Sequence, residues 1–212
     1  MGRFLSSDKL FFGGVIAASV AIVIVALAVL SGGGKPVSQQ DLVNKDSHVL
    51  GERTAKVQIV EFADYQCPAC RTAQPITKRV ISSYGDKIAF FYRHFPLIGT
   101  HQYSLEAAQA AEAAGEQGKF WEYHDLLFEN QDHLDRNYLI EYAKRLNLDV
   151  KKFEDALKSG KYKDKVMADL SAGQQAGVDS TPTFFINGKK YVGAQTLDQF
   201  KNIIEDELKA AK

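Results

Sequence analysis

A pair of cysteines at a predicted strand–helix junction is the sequence feature that most limits the possible folds of this chain. Residues 56–63 (KVQIVEFA) are rich in β-branched and aromatic side chains, which predicts a buried strand. The motif Cys67-Pro68-Ala69-Cys70 follows three residues later. Proline favours the first turn of a helix, because its missing N–H needs no partner there. Two cysteines one turn apart at a helix start can close a disulfide, so this junction is expected to carry redox chemistry.

The rest of the chain supplies an alternation of strand and helix signals. The predicted elements are a helix over residues 68–84 kinked at Pro75, a strand over 87–95, amphipathic helices across 104–177, a hairpin over 183–192 turning at Asn187-Gly188, and a helix over 197–208. The strand–helix–strand order implies a parallel strand pair, and the hairpin adds antiparallel strands. The fold class is therefore α/β, with a mixed sheet interrupted by a helical insertion.

The two cysteines are expected to have different roles. Cys67 lies where unpaired backbone N–H groups and the helix dipole favour a thiolate, which is the nucleophile of disulfide exchange. Cys70 lies one turn deeper and is the expected resolving thiol. A purely structural disulfide would close a tiny loop and gain little. A zinc site needs about four ligands, and only histidines such as His94 and His101 could complete one.

The N-terminus contains 21 residues without a charge, over positions 10–30. This length is sufficient for a transmembrane helix. Arg3 and Lys9 before it favour a cytoplasmic position for residues 1–9. A signal peptide cleaved near residues 26–28 is the alternative. Under both interpretations the rest of the chain is exported. It is joined by a linker over residues 31–46, of which residues 31–36 are a flexible spacer. The uncleaved form would be a single-pass membrane protein in contact with the lipid bilayer.

Composition excludes several classes of protein. The chain has 26 basic and 26 acidic residues, and this balance does not indicate nucleic-acid binding. Two cysteines are too few for a disulfide-stapled scaffold. The five histidines are interpreted as surface or core residues, and no cofactor or metal is expected.

The sequence resembles a known family at four places. The segments VEFADYQCPAC, YRHFPL, HQYSLEAAQAAEAAGEQGKFWEYHDLLF and GVDSTPTFFINGKKYVGAQ are similar to the DsbA-like, membrane-anchored branch of the thioredoxin superfamily. The resemblance implies a thioredoxin fold. Its first part would cover residues 47–102 with the CPAC motif, an all-helical insertion 103–177, and its second part 178–212, all preceded by one transmembrane helix.

The resemblance also implies further site residues. Thr181-Pro182 matches the family's cis-proline loop, which presents backbone to the substrate; a trans proline starting a strand is the alternative. Glu61 matches a buried acid beneath the disulfide that relays a proton to the resolving cysteine. Since Glu61 sits among apolar neighbours, alternation does not decide between this position and a surface one. Ala69 departs from the family's best-known oxidants, which carry histidine there.

The activity implied by the resemblance is thiol–disulfide exchange outside the cytoplasm. The leading expectation is an oxidase that hands its Cys67–Cys70 disulfide to exported protein thiols and is reoxidised by a quinone-linked membrane partner. A reductase or isomerase on the same site is the first alternative, because the motif does not fix the direction of electron flow. The second is a non-enzymatic anchored binding protein that reuses the fold.

Overall fold

The structure is a computed structural model that describes residues 38–210. The predicted anchor over residues 10–30, the segment 1–9 and most of the linker 31–46 lie outside the described residues. Within residues 38–210, no helix is both long and apolar enough to cross a membrane.

The described chain alternates strands and helices in the predicted order. The strands are β1 (His48–Gly51), β2 (Val57–Ala63), β3 (Ile88–His94), β4 (Thr183–Ile186) and β5 (Lys189–Val192). The helices are α1 (Gln39–Leu42), α2 (Pro68–Tyr84), α3 (Ser104–Gly115), α4 (Phe120–Glu129), α5 (Arg136–Arg145), α6 (Val150–Ser159), α7 (Lys163–Gln175) and α8 (Leu197–Ala210), and a 3₁₀ turn covers Gly85–Lys87.

The five strands form one mixed sheet in the order β1-β3-β2-β4-β5. Strands β2 and β3 are parallel, as the crossover through α2 predicts, and the other neighbouring pairs are antiparallel. Strands β4 and β5 are joined by Asn187 and Gly188, whose φ angles of 47° and 81° are those that a two-residue hairpin turn requires. The thioredoxin-like α/β fold with a mixed sheet is thereby confirmed.

Both faces of the sheet are covered, which explains why β2 is apolar throughout. Ile59 and Ala63 belong to the larger core, together with buried residues of α2 and of the helical insertion. Val60 and Phe62 belong to a second core, against which Leu170 of α7 packs. Since side chains alternate along a strand, Glu61 shares the face of Ile59 and Ala63.

Two short elements were not predicted from the sequence. Strand β1 pairs with β3 at the sheet edge. Helix α1 lies inside the region predicted as a linker, C-terminal to the part of it predicted to be flexible. Leu42 is fully buried, and Arg93 Nη1 donates a hydrogen bond to its carbonyl. This hydrogen bond from Arg93, 51 residues away in the sequence, satisfies the buried Leu42 carbonyl and holds the segment against β3.

Candidate active site

Cys67 and Cys70 occupy the start of α2, at the end of strand β2. Cys67 is the residue immediately before the helix, in an extended conformation, and Pro68 is the first helical residue. Both cysteines are free thiols. Cys67 is 6% exposed and Cys70 is fully buried, while Pro68 and Ala69 between them are exposed. An incoming sulfur therefore has access to Cys67 and not to Cys70.

The environment separates the pKa values of the two thiols. A hydrogen bond from the Cys70 thiol, with smaller contributions from Thr181 and from the backbone of residues 69 and 70, lowers the pKa of Cys67 to about 5, against the opposing effect of burial. Burial, followed by the proximity of Cys67 and Glu61, raises the pKa of Cys70 far above its ordinary range. At neutral pH the reduced pair therefore holds one thiolate, on Cys67, and one proton, on Cys70.

The loop before β4 faces the nucleophile. The Thr181–Pro182 peptide bond is cis, as the resemblance implies. In its thiol form, Cys67 Sγ donates to the Thr181 carbonyl at 3.4 Å. The Thr181 hydroxyl is buried and has no hydrogen-bond partner among residues 38–210. This hydroxyl is available to a thiolate on Cys67, in agreement with the pKa contribution of Thr181.

Glu61 lies on β2, and its negative form contributes to the raised pKa of Cys70. It is 4% exposed, and burial raises its pKa to about 8. No other residue of the described chain bonds or ion-pairs with its carboxyl group. A cavity of about 60 Å³ adjoins it, which is space for a few water molecules. The cavity is lined by Glu61 and, among others, by Gln74, Lys78, Trp121, His124 and Asp125.

Asp64 is a site residue that the sequence reasoning missed. Its buried carboxylate accepts from the N–H groups of Gln66 (2.7 Å) and Leu97 (2.8 Å) and lies 2.8 Å from His101 Nδ1. The Asp64 carbonyl accepts from the Cys67 N–H at 3.1 Å. Asp64 thus fixes the turn that delivers Cys67. Its bond to the N–H two residues later is a local turn signal that could have identified it.

The histidines do not gather around the cysteines. His94 and His48 lie at 2.9 and 3.0 Å from the two carboxylate oxygens of Glu112, and Lys165 completes that cluster. His124 Nδ1 lies 3.0 Å from the Tyr65 hydroxyl. Among residues 38–210, no group of three or more histidine, cysteine and acidic side chains is arranged to bind a metal ion.

Comparison with known proteins agrees with this geometry. The sequence model of the family described as thioredoxin matches residues 43–206. The chain belongs to the thioredoxin family. BdbD from Bacillus subtilis shares 28% identity at a TM-score of 0.68, covering 77% of this chain and 93% of BdbD. Alpha-DsbA1 from Wolbachia pipientis shares 25% identity at a TM-score of 0.72, covering 80% of this chain and 94% of alpha-DsbA1. The predicted DsbA-like character of this thioredoxin-family chain is thereby confirmed.

Curated relatives carry a different name. A Na(+)/H(+) antiporter NhaA 3 from Salinispora tropica is 38% identical over 165 residues, 78% of this chain and 25% of the antiporter. A similar antiporter from Herminiimonas arsenicoxydans is 35% identical over 147 residues, 69% and 23%. The thioredoxin-family chain thus spans about a quarter of the length of these relatives.

Proposed function

We propose that this protein is a protein thiol–disulfide oxidoreductase working as an oxidase: it transfers its Cys67–Cys70 disulfide to reduced protein thiols. The observation that carries the direction is the lowered pKa of Cys67. A thiolate stabilised in the dithiol form makes reduction of the enzyme disulfide more favourable, so the disulfide becomes a stronger oxidant. Relative to a thiol with an ordinary pKa of about 8.5, a pKa of about 5 favours the reduced form roughly hundredfold at pH 7, or by about 60 mV.

The reaction follows from the two thiol environments. A client thiolate attacks Sγ of Cys67, forming a mixed disulfide and expelling Cys70 as a thiolate. Burial strongly disfavours that charge, so Cys70 must be protonated as it leaves. The client's second thiolate then attacks the client sulfur of the mixed disulfide and releases Cys67. The low pKa of Cys67 makes it a good leaving group.

Glu61 is the proposed proton donor to Cys70. With a pKa raised to about 8, its carboxyl group carries a proton at pH 7. The assignment is supported by the contribution that the negative form of Glu61 makes to the raised pKa of Cys70. The adjoining cavity offers water a place from which the proton is replaced.

The proposed setting is the outer face of a cell membrane. The support is the uncharged run over residues 10–30, which would anchor the domain. Exported proteins with reduced thiols are then the clients, and a quinone-linked membrane protein the reoxidant. Mass spectrometry of the N-terminus in isolated membranes checks the anchor: a chain that retains residues 1–30 supports it, and one that starts near residue 29 contradicts it. Antiport is not proposed, because the match covers about a quarter of those transporters.

The decisive functional test is transfer of the disulfide to a client. Oxidised protein is mixed with a reduced, unfolded client that needs disulfides, and client thiols are counted over time. The oxidase proposal requires stoichiometric loss of client thiols, and Cys67→Ser must abolish it. A protein that reduces a client disulfide from its dithiol form but fails to oxidise the reduced client is a reductase, which contradicts the proposal.

A further inference from the structure

The side chain of Gln131 reaches the backbone on both sides of the nucleophile loop. Its Nε2 donates to the carbonyl of Tyr65 at 2.8 Å and to the carbonyl of Cys67 at 2.9 Å. Gln131 is buried and lies 64 residues from Cys67 in the sequence, in the loop between α4 and α5. The helical insertion is therefore bonded directly to the residue that carries the attacking sulfur.

These two bonds act on a backbone whose orientation matters for the thiolate. The thiolate is stabilised in part by the backbone of residues 69 and 70. The Cys67 carbonyl also accepts the N–H of Arg71 at 3.2 Å, so it closes the first turn of α2. Fixing this carbonyl fixes how that turn presents its N–H groups to the sulfur. The amide hydrogens of Gln131 also offset the negative ends of two carbonyl dipoles beside a developing negative charge.

The neighbouring residue makes a second contact, of a different kind. Asp132 pairs with Arg71 at 3.1 Å, but both side chains are well exposed. Exposed pairs of this kind contribute little. The bonds of Gln131 are buried. Losing them would leave the Tyr65 carbonyl without a hydrogen-bond donor among residues 38–210, which is costly, while the Cys67 carbonyl would keep the Arg71 N–H.

We propose that Gln131 is a positioning residue for the nucleophile, through which the helical insertion sets the ionisation of Cys67 and the potential of the pair. The side-chain N–H groups of Gln131 do not bond to the reacting sulfur. They act through the backbone carbonyls of Tyr65 and Cys67. The inference deepens the proposed function, since it concerns how strongly the same site oxidises. The helical insertion then contributes to the redox centre in addition to packing against the sheet.

The test replaces Gln131 with methionine, which has a similar volume and no donor. The Cys67 thiolate is followed by its ultraviolet absorbance against pH, and the redox equilibrium is measured against glutathione. For the loss of one or two net hydrogen bonds, we expect the equilibrium constant to shift toward the disulfide by about three- to tenfold. The Cys67 titration should move to higher pH by a corresponding amount.

The matched control is Asn130→Met. Asn130 is adjacent, and its side-chain amide donates to the carbonyl of Leu126 in the preceding helix α4 at 2.8 Å. This variant loses a hydrogen bond of the same kind without contact to the cysteine loop, and should leave both the titration and the equilibrium unchanged. If Gln131→Met fails to fold, Gln131→Glu has the same shape, cannot donate when ionised, and should shift both quantities in the same direction.

Two outcomes overturn the proposal. One is a parental titration and equilibrium constant in a folded Gln131 variant. The other is an equal shift in Asn130→Met, which would trace the effect to general loosening of the loop. A parent protein that proves strongly reducing would refute the oxidase function and would leave this test intact, because it compares variants with their own parent.

Discussion

Two glutamates, Glu61 and Glu112, are both buried, but their environments make the first neutral and the second negative at neutral pH. Glu61 has no bonding partner in the described chain, and burial raises its pKa to about 8. Burial also acts on Glu112, but hydrogen bonds and charge from His48 and His94 outweigh it and hold the pKa of that carboxyl far below its usual range. The comparison teaches that partners, and not depth, decide the charge of a buried acid.

The two acids also belong to different parts of the molecule. Glu61 lies on β2, next to a cavity. Glu112 lies on α3 of the insertion and binds His48 of β1, His94 of β3 and Lys165 of α7. The acid proposed to exchange a proton has no bonding partner among residues 38–210, while Glu112 is paired with one residue from each of three other elements. We therefore assign proton transfer to Glu61 and structural stability to Glu112.

The largest expected effect is an opposite pH dependence of stability at the two acids. For Glu61, the native pKa of about 8 exceeds the unfolded value of about 4.3, so between these values the unfolded state binds fewer protons and stability falls as pH rises. Glu61→Gln should remove this fall and gain up to roughly 5 kcal/mol over the parent by pH 8. Urea unfolding across pH measures it; parallel profiles for parent and variant would contradict a protonated Glu61.

The depressed pKa of Glu112 predicts the reverse. Its stabilisation is present above the unfolded pKa and is lost as pH falls below it. At neutral pH, Glu112→Gln should lose about 3 kcal/mol, because it removes the charge that the buried His94 and the partly buried Lys165 share. Urea midpoints at pH 7 test this. Glu116→Gln, four residues along and ion-paired with the exposed Lys152 and Lys161, is the control and should change little.

The next effect is kinetic and separates the two acids by function. Glu61→Gln should slow formation of the mixed disulfide with clients by about a hundredfold, the usual scale for losing a general acid. Glu112→Gln should leave that rate near the parental value in the folded protein. Quenched-flow alkylation followed by gels reports the rate. Equal slowing in both variants would mean that the two glutamates differ in their effect on stability alone, and that Glu61 is not the proton donor.

The smallest effect concerns the donor beside Cys67. Thr181→Val removes a hydroxyl that contributes to the lowered pKa of Cys67 and keeps the shape of the side chain. The pKa of Cys67 should rise by about half a unit, as expected for one modest hydrogen bond. Titration of the thiolate absorbance tests it. An unchanged midpoint would show that the Thr181 hydroxyl does not reach the thiolate.

Local patterns in the sequence were enough for the main elements. The predicted strand over residues 56–63 is Val57–Ala63 and that over 87–95 is Ile88–His94, because β-branched and aromatic runs bounded by turns are local signals. The hairpin was predictable from Asn187-Gly188. Strand β1 was not, because four residues at an edge owe their conformation to pairing with β3.

The site was predictable only where its signal is local or shared by the family. The prediction that Cys67 is the nucleophile and Cys70 the resolving thiol follows from their positions at the start of a helix. The face occupied by Glu61 could not be read from alternation, because both faces of β2 are buried. Gln131 and its target at Cys67 are 64 residues apart, and no local pattern in the sequence links them.

The central claim is that the lowered pKa of Cys67 makes this pair an oxidant, and the reduction potential against glutathione tests it most directly. At pH 7 we expect a value between about −120 and −200 mV. The potential should fall by about 30 mV per pH unit above pH 5 and by about 59 mV per unit below it, where Cys67 also takes up a proton. A potential below about −230 mV, with no change of slope near pH 5, would contradict the account.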